Sequence, residues 1–378
     1  MPYLCLCVLG TRPEAIKMVS VIAQLRTAPE LTVKICVTGQ HREMLDQMLA
    51  QFGIVPDIDL NLMKDEQSLA ELSASILQAL DPVLARDMPD LVLVQGDTTT
   101  AFASSLAAFY RQIPVAHVEA GLRTGNPGHP FPEELNRVMI SRLARWHFAP
   151  TALARQQLLE EGVDDADIVV TGNTVIDTLM ATVADLPNQS GVVKSFLNAT
   201  PKLDNDHPLV LVTGHRRENF GRGLAAICDA LQQLAERYPQ YLWVYPVHLN
   251  PSVQKAVRER LVRQGNVLLV PPLDYLSFVY LMQRCRFILT DSGGIQEEAP
   301  VLGKPVLVMR ESTERQEAID AGTVKLVGTQ ASVIVSEASR LIDDAEAYQR
   351  MAKSHSPYGD GRAGERIRQA ILQWLSGD

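Results

Sequence analysis

Cysteine is scarce, and its spacing is unhelpful to chemistry. The five in 378 residues (Cys5, Cys7, Cys36, Cys228 and Cys285) form no CxxC pair and no Cys/His metal spacing. All lie in apolar runs, which excludes a disulfide framework and reads as reduced core thiols. Long hydrophobic runs are missing too, since none approaches the ~20 apolar residues of a membrane span. Tyr3–Leu9 is a short strand ending in Gly-Thr-Arg-Pro, without the basic flank or cleavage site of a signal peptide. A soluble, cytoplasmic protein is therefore the expectation, with no membrane partner. Basic charge is in deficit: 35 Lys and Arg stand against 44 Asp and Glu, a net charge of -9. A sequence-independent nucleic-acid binder needs a basic face, so that class is excluded. There is no tandem repeat and no low-complexity tract. With 46% hydrophobic and 21% charged residues, the chain is globular rather than disordered, and its length suits two domains with separate cores.

What is present is alternation. Apolar runs at 3–9, 31–38, 91–95, 115–118, 146–149 and 168–171 are separated by helical patterns. That order predicts parallel α/β layers. A polar stretch with three prolines, 186–208, reads as a linker, after which a second series of strands begins at Leu209. The expectation is an α/β protein of two Rossmann-like domains facing across a cleft, over 1–185 and 209–360. The last helix, in 361–378, should pack back on the first domain.

In doubly wound sheets, ligands sit beyond the carboxyl ends of strands. At those ends stand Arg12, Asp97, Glu119, His215 and Ser292. The most telling stretch is 287–308, where a strand feeds Ser292-Gly293-Gly294 and then a helix beginning with Glu297-Glu298. Free N–H groups and the positive helix end make such a turn an anion site, although an ordinary βα turn has the same shape. Glu298, one turn into the helix, is placed to accept from ribose hydroxyls. A diphosphate on the glycines and a ribose on the glutamate describe a nucleotide.

Arg12 and Lys17 are either solvated charges on a capped helix or cations for a diphosphate, and Thr11 with Glu14 reads as a capping box. Asp97 reads equally well as an N-cap, whereas glutamate is a poor cap, so Glu119 points more firmly to function. Glu133 and Glu134 open a helix after the irregular loop 122–132, and loops of that length inside compact domains are usually functional. Three carboxylates around one cleft would repel, which should raise the pKa of at least one. His215, flanked by Arg216 and Arg217, reads as a phosphate-binding or acid group, and His248 as structural. Gly221-Arg222-Gly223-Leu224-Ala225-Ala226 fits a dinucleotide pattern but lies seven residues beyond its strand. A nicotinamide cofactor is not expected.

Eight blocks spread from the first strand to about Val324 carry a wider resemblance. They are GTRPEAIKM (10–18), TGQHREMLDQ (38–47), QGDTTT (95–100), HVEAGLRT (117–124), FPEELNR (131–137), TGHRREN (213–219), TDSGGIQEEAP (290–300) and ERQEAIDAGTV (314–324). In these the chain resembles the non-hydrolysing UDP-N-acetylglucosamine 2-epimerases. The resemblance implies the glycosyltransferase-B architecture, a UDP-sugar substrate, no cofactor and no metal. It also implies a homodimer and interconversion with UDP-N-acetylmannosamine through 2-acetamidoglucal. It assigns catalytic roles to Asp97, Glu119, Glu133 and His215, with no split of the carboxylates into base and acid. It assigns UDP-sugar contacts to Arg12, Lys17, Leu273, Phe278, Ser292, Gly293, Gly294, Glu298 and Arg315. Some members have glutamine where Leu273 stands. Gln40, Glu43 and His248 resemble a second, allosteric UDP-N-acetylglucosamine site. Position 66, an arginine in some regulated members, is Glu66 here, a departure from the regulated pattern. The competing readings are a 2-epimerase of another UDP-2-acetamido sugar, such as a diacetamido uronic acid, a glycosyltransferase on the same fold, and a UDP-sugar sensor.

Overall fold

The computed structural model of the chain describes residues 2–39, 42–64, 67–188, 190–204, 207–214, 221–313, 315–353 and 357–377. It divides into two units, Met1–Thr178 with Tyr358–Asp378, and Leu179–Pro357.

The first unit holds β1 (Tyr3–Leu9), β2 (Leu31–Val37), β3 (Ile58–Asp59), β4 (Leu91–Gln95), β5 (Val115–Val118), β6 (Trp146–Ala149) and β7 (Ile168–Val170). They form one sheet in the order β3–β2–β1–β4–β5–β6–β7. Every pairing in it is parallel. All residues of β4 and β5 are buried. That is why these runs are mostly apolar rather than alternating, with only Gln95 and His117 polar: both faces of a parallel sheet are covered. The two-residue β3 was not foreseen, because so short a strand carries no periodic signal. Winding reverses between β1 and β4, so the loops after these strands, 10–11 and 96–98, flank the switch point where doubly wound sheets bind ligands.

The second unit holds β8 (Leu209–Thr213), β9 (Leu242–Pro246), β10 (Val267–Val270), β11 (Phe287–Thr290), β12 (Val306–Val308) and β13 (Val324–Leu326). Their order is β10–β9–β8–β11–β12–β13, again all parallel. The switch point lies between β8 and β11, beside the turn that carries Ser292. Trp243, Tyr245 and Phe287 are fully buried and anchor this core. The stretch 186–208, read as a linker from its prolines, instead contains the helix Ser190–Ala199 within this unit. Its four large apolar residues, Val192, Val193, Phe196 and Leu197, recur at helical spacing, and Val193 is buried.

The C-terminal helix Ala363–Ser376 belongs to the first unit. Asp177 accepts from the N–H groups of Ala363 (3.1 Å) and Gly364 (2.8 Å), a carboxylate satisfying the open helix end. At the other end Trp374 stacks on Trp146, with centroids 4.9 Å apart and planes 4° from parallel, and lies 5.3 Å from Phe148. Truncating this ring removes stacking and half-buried area together. Trp374→Ala should lower stability by about 2–3 kcal/mol, measured by urea denaturation followed by circular dichroism. An unchanged midpoint would show that the helix contributes little to the unit.

Candidate functional site

The loops after β1, β4 and β5 carry the polar groups of the first unit. Thr11 caps the helix Arg12–Leu25, its hydroxyl accepting from Glu14 N–H at 3.4 Å. The Glu14 carboxylate reaches across the switch point, accepting from Gly10 N–H (3.1 Å) and from the Thr98 hydroxyl (2.7 Å). Burial pushes its pKa up to about 7. Thr98, not Asp97, caps the next helix, Thr99–Tyr110, accepting from Ala101 N–H at 3.0 Å. Asp97 is thereby released from capping. Its carboxylate pairs with Arg137, and its carbonyl accepts from Asn136 Nδ2 at 2.9 Å. Asn136 and Arg137 lie in the first turns of the helix Glu133–Leu143. Glu133, the first residue of that helix, is half-buried, and its Oε2 has no hydrogen-bond partner among the described residues.

Glu119 leaves β5 with φ of 66°, a left-handed conformation that costs a non-glycine residue about 1–3 kcal/mol and often marks a functional position. Its Oε2 accepts from Gln95 Nε2 at 2.7 Å and pairs with Lys17. The corner continues into Gly121, where a Cβ would stand 2.2 Å from the Ala154 carbonyl oxygen. Beneath it, His117 Nε2 donates to the Gly96 carbonyl at 2.7 Å, fixing the residue before Asp97. Burial pushes the His117 pKa down to about 3, so the ring stays neutral near pH 7. The loop 122–132 is tied down at its start. Glu134 Oε1 accepts from Thr124 and Gly125 N–H, each at 2.9 Å. Arg123 grips Glu161 (2.7 and 2.8 Å), Ser141 (2.9 Å) and the Leu122 carbonyl (2.8 Å).

In the second unit, Thr290 ends β11 with its hydroxyl 2.6 Å from that of Thr213, and it accepts from Ser292 N–H at 2.9 Å. Ser292 is the N-cap of the helix Gly293–Val301 but makes no side-chain capping bond. The Ser292 side chain thus leaves the first-turn N–H groups for another acceptor, as an anion site requires. A Cβ on Gly293 would lie 3.2 Å from Arg315 Cζ, so glycine lets the guanidinium stand directly against the turn. Glu297 Oε1 holds Arg315 Nε at 2.9 Å, and both side chains are buried. Glu298 accepts from Tyr275 OH at 2.9 Å. Tyr275 opens the helix Tyr275–Arg284, with Leu273 just before it and Phe278 one turn later, both half-buried.

Known proteins resemble the chain over nearly its whole length. The family model described as UDP-N-acetylglucosamine 2-epimerase matches residues 23–372. The chain is 55% identical over 367 residues to UDP-N-acetylglucosamine 2-epimerase of Escherichia coli O157:H7, covering 97% of each. The chain belongs to the UDP-N-acetylglucosamine 2-epimerase family. A crystal structure of the Neisseria meningitidis 2-epimerase bound to UDP-GlcNAc is 50% identical, with a TM-score of 0.93 over 98% of this chain and 100% of that one. A Methanocaldococcus jannaschii 2-epimerase in complex with UDP-GlcNAc and UDP is 30% identical, with a TM-score of 0.84 over 98% and 99%.

The residues expected from the 2-epimerase resemblance fall into two groups. Asp97, Glu119 and Lys17 meet around the β4 and β5 exits, with Glu133 on the helix that grips Asp97 and Arg12 opening its own helix. Ser292, Gly293, Gly294, Glu298 and Arg315 gather at the β11 exit. Lys17, expected as a cation for phosphate, contacts Glu119. His248 is exposed, and its Nδ1 accepts from Asn250 N–H at 3.1 Å, closing a turn before the helix Pro251–Leu261. His215, Gln40, Glu66 and the Glu43 side chain lie outside the described residues. Sequence reasoning gave no role to Gln95, Asn136, Arg137 and Tyr275, and noted Glu134 and Glu297 only as residues that open helices. The one available signal was spacing: Asn136 and Arg137 follow Glu133 by three and four residues, on one helix face.

Glu14 supplies a test. A carboxyl whose pKa rises from 4.5 to about 7 on folding binds more protons folded than unfolded. Its stabilising contribution is complete below pH 4.5 and lost as pH rises through 7. Relative to Glu14→Gln, the wild type should lose up to about 3 kcal/mol between pH 4 and 8, read from urea midpoints. Parallel curves for the two proteins would refute it.

Proposed function

We propose that this protein interconverts UDP-N-acetylglucosamine and UDP-N-acetylmannosamine by anti elimination and re-addition of UDP. The reading is supported by family membership and by the UDP-GlcNAc named with the Neisseria structure. The observation that carries it is a pair of strand-tip carboxylates, each with its own cation: Asp97 with Arg137 and Glu119 with Lys17. Moving a proton on and off carbon needs carboxylates held in place within reach of the sugar.

The C2 hydrogen of the sugar has no neighbouring carbonyl. It becomes acidic only as the C1–O bond breaks and positive charge grows on the ring. A carboxylate of the first unit takes that proton. The C2–H electrons form the C1=C2 bond of 2-acetamidoglucal, and the C1–O pair leaves with UDP. In the return step the double bond takes a proton at C2 on the opposite face, from a second carboxyl, while a diphosphate oxygen re-bonds C1. Asp97, Glu119 and Glu133 supply these groups. The main electrostatic task is to stabilise the departing diphosphate. Arg315, the Ser292–Gly294 turn and its helix end would take it, with Glu298 on the ribose and Leu273 and Phe278 beside uracil. His215 and Arg12 join the diphosphate by family resemblance. In this reading the enzyme works without a cofactor, as a cytoplasmic homodimer.

Incubation with UDP-N-acetylglucosamine in deuterated water should place deuterium at C2 and yield both epimers. Absence of label would leave a glycosyltransferase or a sensor, and label appearing only with another UDP-2-acetamido sugar would move the substrate. Asp97→Asn should cut turnover by about 10³-fold while UDP affinity, by calorimetry, stays within about tenfold. Gly293→Ala should do the reverse, weakening UDP about tenfold or more by displacing Arg315 from the turn. Wild-type UDP affinity in that variant would remove the turn from the diphosphate site.

A further inference from the structure

We infer that Arg137 is the positioning residue for Asp97, a claim that rests on the epimerase reading. The asymmetry of the pair is the first argument. The Arg137 side chain is 5% exposed and Asp97 30%, so the cation is the buried anchor and the carboxylate the accessible end. The buried guanidinium thus holds one side of the carboxylate while leaving it open to a ligand on the other. The second argument is where the guanidinium spends its donors. Nη2 bonds Asp97, while Nη1 lies 3.3 Å from Glu134 Oε2. Nε and Nη1 make no hydrogen bond among the described residues. Glu134 in turn holds the Thr124 and Gly125 N–H groups. One line of contacts therefore runs from the loop 122–132 through Glu134 and Arg137 to Asp97.

The third argument is that backbone and side chain of Asp97 are gripped by neighbouring residues of one helix. Asn136 takes its carbonyl and Arg137 its carboxylate, and the same helix begins with Glu133. The relative placement of two of the three proposed catalytic carboxyls is thus set by a single rigid element. A planar guanidinium can face two carboxylates at once. A lysine at 137 keeps the charge but presents one compact ammonium that cannot serve both.

Arg137→Lys, Arg137→Ala and wild type should be compared by C2 deuterium incorporation, UDP calorimetry and thermal melting. Arg137→Lys is expected to lose about 10–100-fold in kcat with UDP affinity unchanged within about threefold. Guanidinium chloride at low millimolar concentration should restore at least about tenfold of the activity of Arg137→Ala, while sodium chloride at equal ionic strength should not. Wild-type kcat in Arg137→Lys overturns the inference. So does a folded Arg137→Ala that guanidinium fails to rescue, and if that variant does not fold, Arg137→Lys decides alone. The label in wild type reports on the epimerase reading separately.

Discussion

A carboxylate at a strand tip keeps its aim only if something from another element holds it, and the first unit rests on that constraint. β4 and β5 are adjacent and in register, with Gln95 beside Val118. Their exits therefore bring Asp97 and Glu119 close with no contact between their side chains required. Two negative charges so placed would repel if left alone. Each is instead matched to a cation from a helix that packs nearby, Lys17 from the helix after β1 and Arg137 from the helix after the long loop. The mutual repulsion expected around such a cleft is offset pair by pair. Beneath them Glu14 spans the switch point, and burial pushes its pKa up to about 7.

The second unit meets the same requirement with the charges reversed. Here the fixed group is a cation, and the buried carboxylate of Glu297 holds the guanidinium of Arg315 against a glycine. Both groups would be costly to bury singly. Together they give a rigid positive edge next to an uncapped helix end, where the backbone itself carries partial positive charge. Glu298 one position later faces Tyr275 instead. Adjacent glutamates on one helix thus do different work because the helix turns them by 100°.

Much of this was readable beforehand, for identifiable reasons. The strands at Tyr3–Leu9, Leu91–Gln95, Val115–Val118 and Val306–Val308 are short and mostly apolar, with glycine or proline close to their ends, so their ends coincide with the sequence pattern. Ser292, Gly293 and Gly294 stood out because a glycine pair between strand and helix has few other uses. In 186–208 the prolines drew attention away from an apolar helical spacing, which forms the helix Ser190–Ala199. Asp97 was ambiguous as a cap until Thr98 proved to occupy that position. Arg137, Gln95 and Glu297 carried no signal as single letters, since an arginine, a glutamine and a glutamate on helices or strands are ordinary.

Local order, then, was decided by the chain itself. Hydrophobic period, caps and glycines act over a few residues, and they specify two parallel sheets and the side chains at their carboxyl ends. Partnership was decided only by the tertiary fold. Lys17 meets Glu119 across 102 positions and Arg137 meets Asp97 across 40. Such pairs depend on the order of strands in the sheet and on which helix lies over which exit, and no window of local sequence contains either.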